Sequence, residues 1–154
     1  MTTVISECRT GRSLLDGDLF DRLTARVAAD ERLSSDLAVR IVDQALAFLA
    51  ACATDHDEPF APSSQVDLGW HTFILHTKDY ARFCHQIAGR FLHHVPTTSS
   101  SVSPSDACAT RWRTVRAIQQ AGFAVDTALW QESHADCEDC HQCHQGCADS
   151  PKKK

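Results

Sequence analysis

The sequence predicts an all-α fold: a single compact helical domain of about four to five helices, followed by a flexible Cys/His-rich C-terminal tail. Three observations carry that prediction. Apolar residues recur at spacings of three and four through most of the chain, as on helices with one buried face. No stretch alternates apolar and polar residues as a half-buried strand would. The last segment, "ESHADCEDCHQCHQGCADSPKKK", has no bulky apolar side chain and cannot join a core by burial. The division follows from this contrast: a helical domain over 1–131 and a metal-binding tail over 132–154.

Taken in order, Leu15, Leu19, Leu23 and Val27 repeat at a spacing of four and predict a helix over Leu14–Val27. Ser34 or Ser35 caps a second helix with Asp36 in its first turn. That helix carries Leu37, Ile41, Ala45, Leu49 and Cys52 on one face, and Val42, Leu46 and Phe48 widen it, so it is predicted to be the central buried helix. "TDHDEPFAPSSQ" breaks the pattern with two prolines and reads as a loop. A third helical region runs from near Ser64 to about Ala88, continuous or bent at His76-Thr77, with Gly89 as its stop. Pro96 ends regular structure and "TTSSSVSPS" is a connection. A fourth helix spans about Asp106–Gln120, with Ser105 as cap and Gly122 as stop. A short helical turn, Asp126–Trp130, closes the domain.

Composition narrows the function. At 154 residues, with 43% hydrophobic and 23% charged residues, the chain is long and apolar enough for one globular core. A net charge of −5 argues against nucleic acid as a partner. No apolar run approaches the roughly 18–20 residues of a membrane span, and the N-terminus shows no secretory pattern. A cytoplasmic location is expected, and there the eight cysteines read as metal ligands or redox groups before disulfides.

Four of those cysteines crowd the tail: Cys137, Cys140, Cys143 and Cys147, interleaved with His134, His141 and His144. Thiolate and imidazole at spacings of about three let a tight loop converge on one ion. The spacing also matches a bacterial ferredoxin run. However, Ala148 replaces the proline that usually follows the fourth cysteine, and no second run exists, so an iron–sulfur cluster is disfavoured. Zn²⁺ is the expected ion, with Fe or Cu as other transition-metal candidates. The plain alternative is a solvated tail with no physiological ion.

The stretch "VDLGWHTFILH" raises a second candidate. Asp67 and His71 stand at i and i+4, on one helix face. His93 or His94 could complete a two-His-one-carboxylate set. His76, Tyr80 and Cys84 form another stripe. Each has an ordinary reading as well. Ser64 and Asp67 fit a capping box, His71 could be a half-buried histidine, and Cys84 a small core residue.

Asp67, Trp70-His71, Leu75, Tyr80, Cys84, Gly89 and His94-Val95-Pro96 together resemble the signature of the glycine-rich domain-containing protein family, in a short bacterial form with a Cys/His-rich tail. The resemblance covers residues 66–96 and implies an all-helical domain with a polar constellation around the Trp-His pair. It implies no particular reaction. Phe73 stands where many relatives have a second histidine, which makes His76 the nearest replacement, and the glycine-rich stretch is absent.

The expectation is therefore a small metal-binding protein whose helical scaffold is open to a protein partner and whose tail holds the ion. The alternative is a metal-dependent tailoring enzyme of oxygenase or hydrolase type, with Asp67, His71, His94 and secondarily His76 at the ion and Tyr80 as candidate proton donor. Neither Gly-x-Ser-x-Gly nor a glycine-rich phosphate loop is present.

Overall fold

A computed structural model describes residues 7–54, 57–95 and 102–131. The loop residues from Pro96 and the tail ligands His134, Cys137, Cys140, His141, Cys143, His144 and Cys147 lie outside the described residues. A 3-10 turn, Gly11–Leu14, precedes α1 (Gly17–Glu31), α2 (Ser35–Cys52), α3 (Ser64–Leu75), α4 (Thr77–Ala88), α5 (Pro104–Gln120) and α6 (Thr127–Trp130). Among the described residues there is no strand, and one isolated bridge pairs Arg9 with Phe123. None of these helices is long and apolar enough to cross a membrane.

The fold is all-α, as expected, with differences at helix ends that have local causes. Four helices start on an Asp or Ser whose side chain accepts an orphan backbone N–H: Asp16 from Leu19, Ser34 from Leu37, Ser63 from Val66 and Ser103 from Asp106. Asp16 thus moves the start of α1 past Leu14, which belongs to the 3-10 turn. Ser103, with Pro104 at the first helical position, starts α5 earlier than the predicted Ser105 cap. The predicted third helix is two helices. His76 sits at φ −84, ψ 65, outside the helical region, and its Nδ1–H donates to the Thr72 carbonyl at 3.0 Å. Gly89 ends α4 in the left-handed conformation at φ 65, as its sequence position suggested.

Helix α2 is the axis of the core. Ile41, Val42, Ala45, Leu46, Ala47, Phe48, Leu49 and Ala51 are all buried, which covers every direction around its second half. Each large member contributes roughly 1.5–3 kcal/mol through burial. The 3-10 turn, α1, α3 and α5 all pack against it. α3 comes closest at Gly69, where a Cβ would fall 2.9 Å from Ala45 Cβ and 3.1 Å from the Ile41 carbonyl oxygen. The missing side chain lets the two backbones approach, and that approach fixes how α3 is rolled.

One polar side chain is buried in this helix. The Gln44 Nε2–H donates to the Ala124 carbonyl at 3.0 Å. Its Oε1 accepts from the Asp126 backbone N–H at 3.0 Å and from the Trp130 indole N–H at 2.9 Å. Gln44 thereby ties the segment after α5 to the core. Arg40, one turn earlier, reaches the same segment through two hydrogen bonds to the Asp126 carboxylate, at 2.6 and 3.0 Å.

Two tests follow from this anchoring. Gln44→Leu keeps apolar bulk but leaves the Trp130 indole, the Asp126 N–H and the Ala124 carbonyl without their partner. Urea unfolding should show about 2–4 kcal/mol of lost stability. Arg40 holds the Asp126 carboxyl below its ordinary value, first by hydrogen bonding and then by its charge. A folded-state pKa below the unfolded one gives stability that is complete above the unfolded value, about 3.9, and is lost as pH falls through the folded value. Stability measured from pH 6 downward should therefore decline more steeply below about pH 4 in the native protein than in Asp126→Asn, with the two curves converging in acid.

Candidate metal centre

Asp67 and His71 occupy the flank of α3 that its burial leaves free. Val66, Gly69, Trp70 and Phe73 face the core, while Asp67 is partly and His71 largely exposed. The capping role considered for Asp67 is taken by other atoms. Ser63 is the N-cap, and its hydroxyl serves the Val66 N–H, which puts Asp67 one position beyond the capping-box glutamate place. The Asp67 carboxylate is thus available to side chains.

Two imidazoles use it, one per oxygen. His71 Nε2 lies 3.1 Å from Oδ2, and His94 Nε2 lies 2.8 Å from Oδ1. A carboxylate only accepts, so each imidazole carries its proton on Nε2 in this arrangement. The three donor atoms lie within 4.8 Å of one another. Two ligand atoms about 2.1 Å from an ion are about 3.4 Å apart in tetrahedral and about 3 Å apart in octahedral coordination, so both separations need at most a small adjustment. His71, with its side chain 59% exposed, lies on the solvent side of the group. A cation at this point would bind the Nε2 lone pair of each ring in its other neutral tautomer, with the ring proton on Nδ1.

His94 arrives from the extended segment after α4. There Leu92 and His94 point inward, while Phe91, His93 and Val95 are exposed, which decides between the two candidate histidines. The His94 ring packs on Trp70 with centroids 4.2 Å apart and meets His71 edge-on at 4.5 Å. Its side chain is only 15% exposed.

Other candidates go elsewhere. His76 ends α3, bonds to the Thr72 carbonyl and is not among the grouped ligand atoms. Tyr80 is buried, accepts from the Trp70 indole N–H at 2.9 Å and donates to the Leu92 carbonyl. Burial above all, and then a hydrogen bond to Cys84, pushes its hydroxyl well above the ordinary phenol value, while the Trp70 bond opposes this. In this structure the proton of Tyr80 is engaged on a backbone carbonyl. Sequence reasoning caught Trp70 and Tyr80 as a pattern but missed their bond, because nothing in a one-dimensional spacing of ten indicates a corner that turns one side chain onto the other.

The described thiols do not extend the donor set. Cys84 is fully buried. Burial pushes the Cys52 thiol up to about 12, against an opposing pull from Arg90. A concavity of about 250 Å³ is lined in part by Arg12, Phe20, Val39, Arg40, Asp43 and Asp126; there Arg40 pairs with Asp126, and the Asp43 carboxylate accepts from the Arg12 backbone N–H.

Comparison with known proteins places the chain. The model of the UCP032817-like family matches residues 13–120, most of the chain, and the protein belongs to that family. This overturns the resemblance to the glycine-rich domain-containing family, whose implications for the site fall with it. The match spans Asp67, His71, Tyr80 and His94 and stops before α6 and the Cys/His tail. No curated protein and no solved structure matches significantly. The case for the cluster therefore rests on its geometry.

The thiol environments give a direct test. With a pKa of about 12, the thiolate fraction of Cys52 at pH 8 is on the order of 10⁻⁴. Brief alkylation of the native protein, mapped by peptide mass spectrometry, should label the exposed Cys8 and leave Cys52 and Cys84 unmodified until denaturant is added.

Proposed function

We propose that this member of the UCP032817-like family is a small metal-binding protein, with Asp67, His71 and His94 as the ligands of a divalent transition ion in its helical body. The observation that carries the reading is the convergence of one carboxylate and two imidazoles from two separate stretches of chain onto a space within 4.8 Å. Two nitrogens and one oxygen suit a borderline ion, with Zn²⁺ first and Fe²⁺ next, better than Ca²⁺ or Mg²⁺.

The tail cysteines Cys137, Cys140, Cys143 and Cys147 with His134, His141 and His144 form a second, softer donor set, a reading that rests on sequence alone. Both sets suit a reducing cytoplasm, where thiols stay available. The net charge of −5 continues to favour metal ions and a protein partner over nucleic acid or membrane.

One observation favours a second reading. His71 is largely exposed, so an ion held by three protein ligands would keep positions open to solvent, as catalytic sites do. Such an ion would activate a bound water for hydrolysis or, as Fe²⁺ with dioxygen as the oxidant, would serve an oxygenation.

The test uses the full chain with the four tail cysteines changed to Ser and the three tail histidines to Asn, so that only body ligands remain. Titration calorimetry with Zn²⁺ should show one equivalent bound. Asp67→Asn, His71→Ala and His94→Ala should each weaken binding at least tenfold while the circular dichroism spectrum persists. Affinity should fall steadily as pH is lowered, because protons compete for the imidazole nitrogens. Unchanged binding in all three variants, or none in the parent, defeats the reading.

A further inference from the structure

The ligands of the cluster differ in how they are held. Asp67 and His71 ride on a regular helix, but His94 sits in an extended segment, Phe91–Val95, with no secondary structure of its own. Something else must keep that segment in register with α3. Two side chains do so. Trp70 projects from α3 and donates its indole N–H to the Tyr80 hydroxyl, which belongs to α4. The Tyr80 hydroxyl in turn donates a hydrogen bond to the Leu92 carbonyl, two residues before His94. The chain of bonds runs from α3 across the corner at His76 to α4 and then onto the segment. The Trp70 ring is also the surface against which the His94 imidazole rests, and the Tyr80 ring meets Phe91 edge-on at 5.2 Å.

Trp70 and Tyr80 are 8% and 1% exposed, so the two bonds are made away from water, where few alternative partners exist. The Tyr80 hydroxyl has one donor site and accepts readily, and both capacities are used. The helical bend gives the arrangement its reach. With α3 and α4 as one straight helix, residues 70 and 80 would lie about 15 Å apart along the axis. The break at His76 folds them together.

Resting on the metal reading above, we propose that Trp70 and Tyr80 are the positioning residues of the centre. Their relay to the Leu92 carbonyl sets where His94 Nε2 meets the ion, without either side chain touching it. Groups that orient a ligand from behind in this way typically change metal affinity by 10–100-fold when removed.

The experiment uses the full chain with the tail substitutions described above and Co²⁺ as the probe, followed by its visible absorption. Tyr80→Phe removes one oxygen atom and keeps the ring. Trp70→Phe keeps an aromatic face for His94 but loses the indole N–H. Each is expected to weaken Co²⁺ binding about tenfold and to alter the shape of the ligand-field band. The double variant should be no weaker than the worse single one, since either change breaks the same relay.

Phe83→Leu serves as the control. Phe83 is buried and packs on Phe73, and it has no ring contact with the ligand set. It should lower thermal stability and leave Co²⁺ affinity and spectrum unchanged. If Tyr80→Phe binds Co²⁺ as the parent does, or if Phe83→Leu weakens binding as much at equal loss of stability, the positioning role is overturned while the metal centre stands. If the parent itself binds no Co²⁺, both proposals fail together.

Discussion

Everything in this molecule answers to the burial of α2. A helix with apolar side chains in nearly every direction cannot lie on a surface, so the other elements must surround it. The short side chains Ala38, Ala45, Ala47 and Ala51 set how closely they can come. Gly69 uses that space fully, and its contact with Ala45 leaves α3 with one rotational setting. In that setting Trp70 points at the core and the Asp67–His71 flank faces outward. The candidate centre is a by-product of packing: the same roll that buries Phe73 exposes the carboxylate.

The centre also shows how a polar constellation is held next to an apolar core without loosening it. Asp67 and both imidazoles are partly solvated, so none bears the full cost of burial. Two of the buried polar groups, Gln44 and the Tyr80 hydroxyl, have both their donors and their acceptors engaged. Polarity is therefore graded from satisfied and hidden to open and available, over the width of one helix.

Much of this was legible in the sequence. The periodicity of Leu19, Leu23 and Val27, the apolar circumference of α2, the stop at Gly89 and the pairing of Asp67 with His71 are local patterns, and the chain realises them. His94 was named as a partner for them, and the geometry brings it there. The misses share a cause. Ser63 rather than Ser64 caps α3, and Ser103 rather than Ser105 caps α5, because neighbouring serines are equivalent in a pattern and only the backbone chooses between them. A sequence shows the Tyr80 phenol but not the Leu92 carbonyl to which its hydroxyl donates. His76 stood out as a ligand by composition, yet its position at a helix end gave its ring a carbonyl to bond. The family match corrected a further error, since a short motif of common residue types suggested kinship that the longer stretch does not support.

The pairing of Arg9 with Phe123 joins opposite ends of the described chain, through Arg9 N–H to the Gly122 carbonyl and Ala124 N–H to the Arg9 carbonyl. Contacts of such high sequence separation carry a loop-closure cost that the packing of the intervening helices must offset. The four-residue α6 is too short to persist alone and depends on the same docking. The seam therefore draws the two ends of the described chain into one unit, and the burial of Leu129 and Trp130 offsets the cost of closing so long a loop.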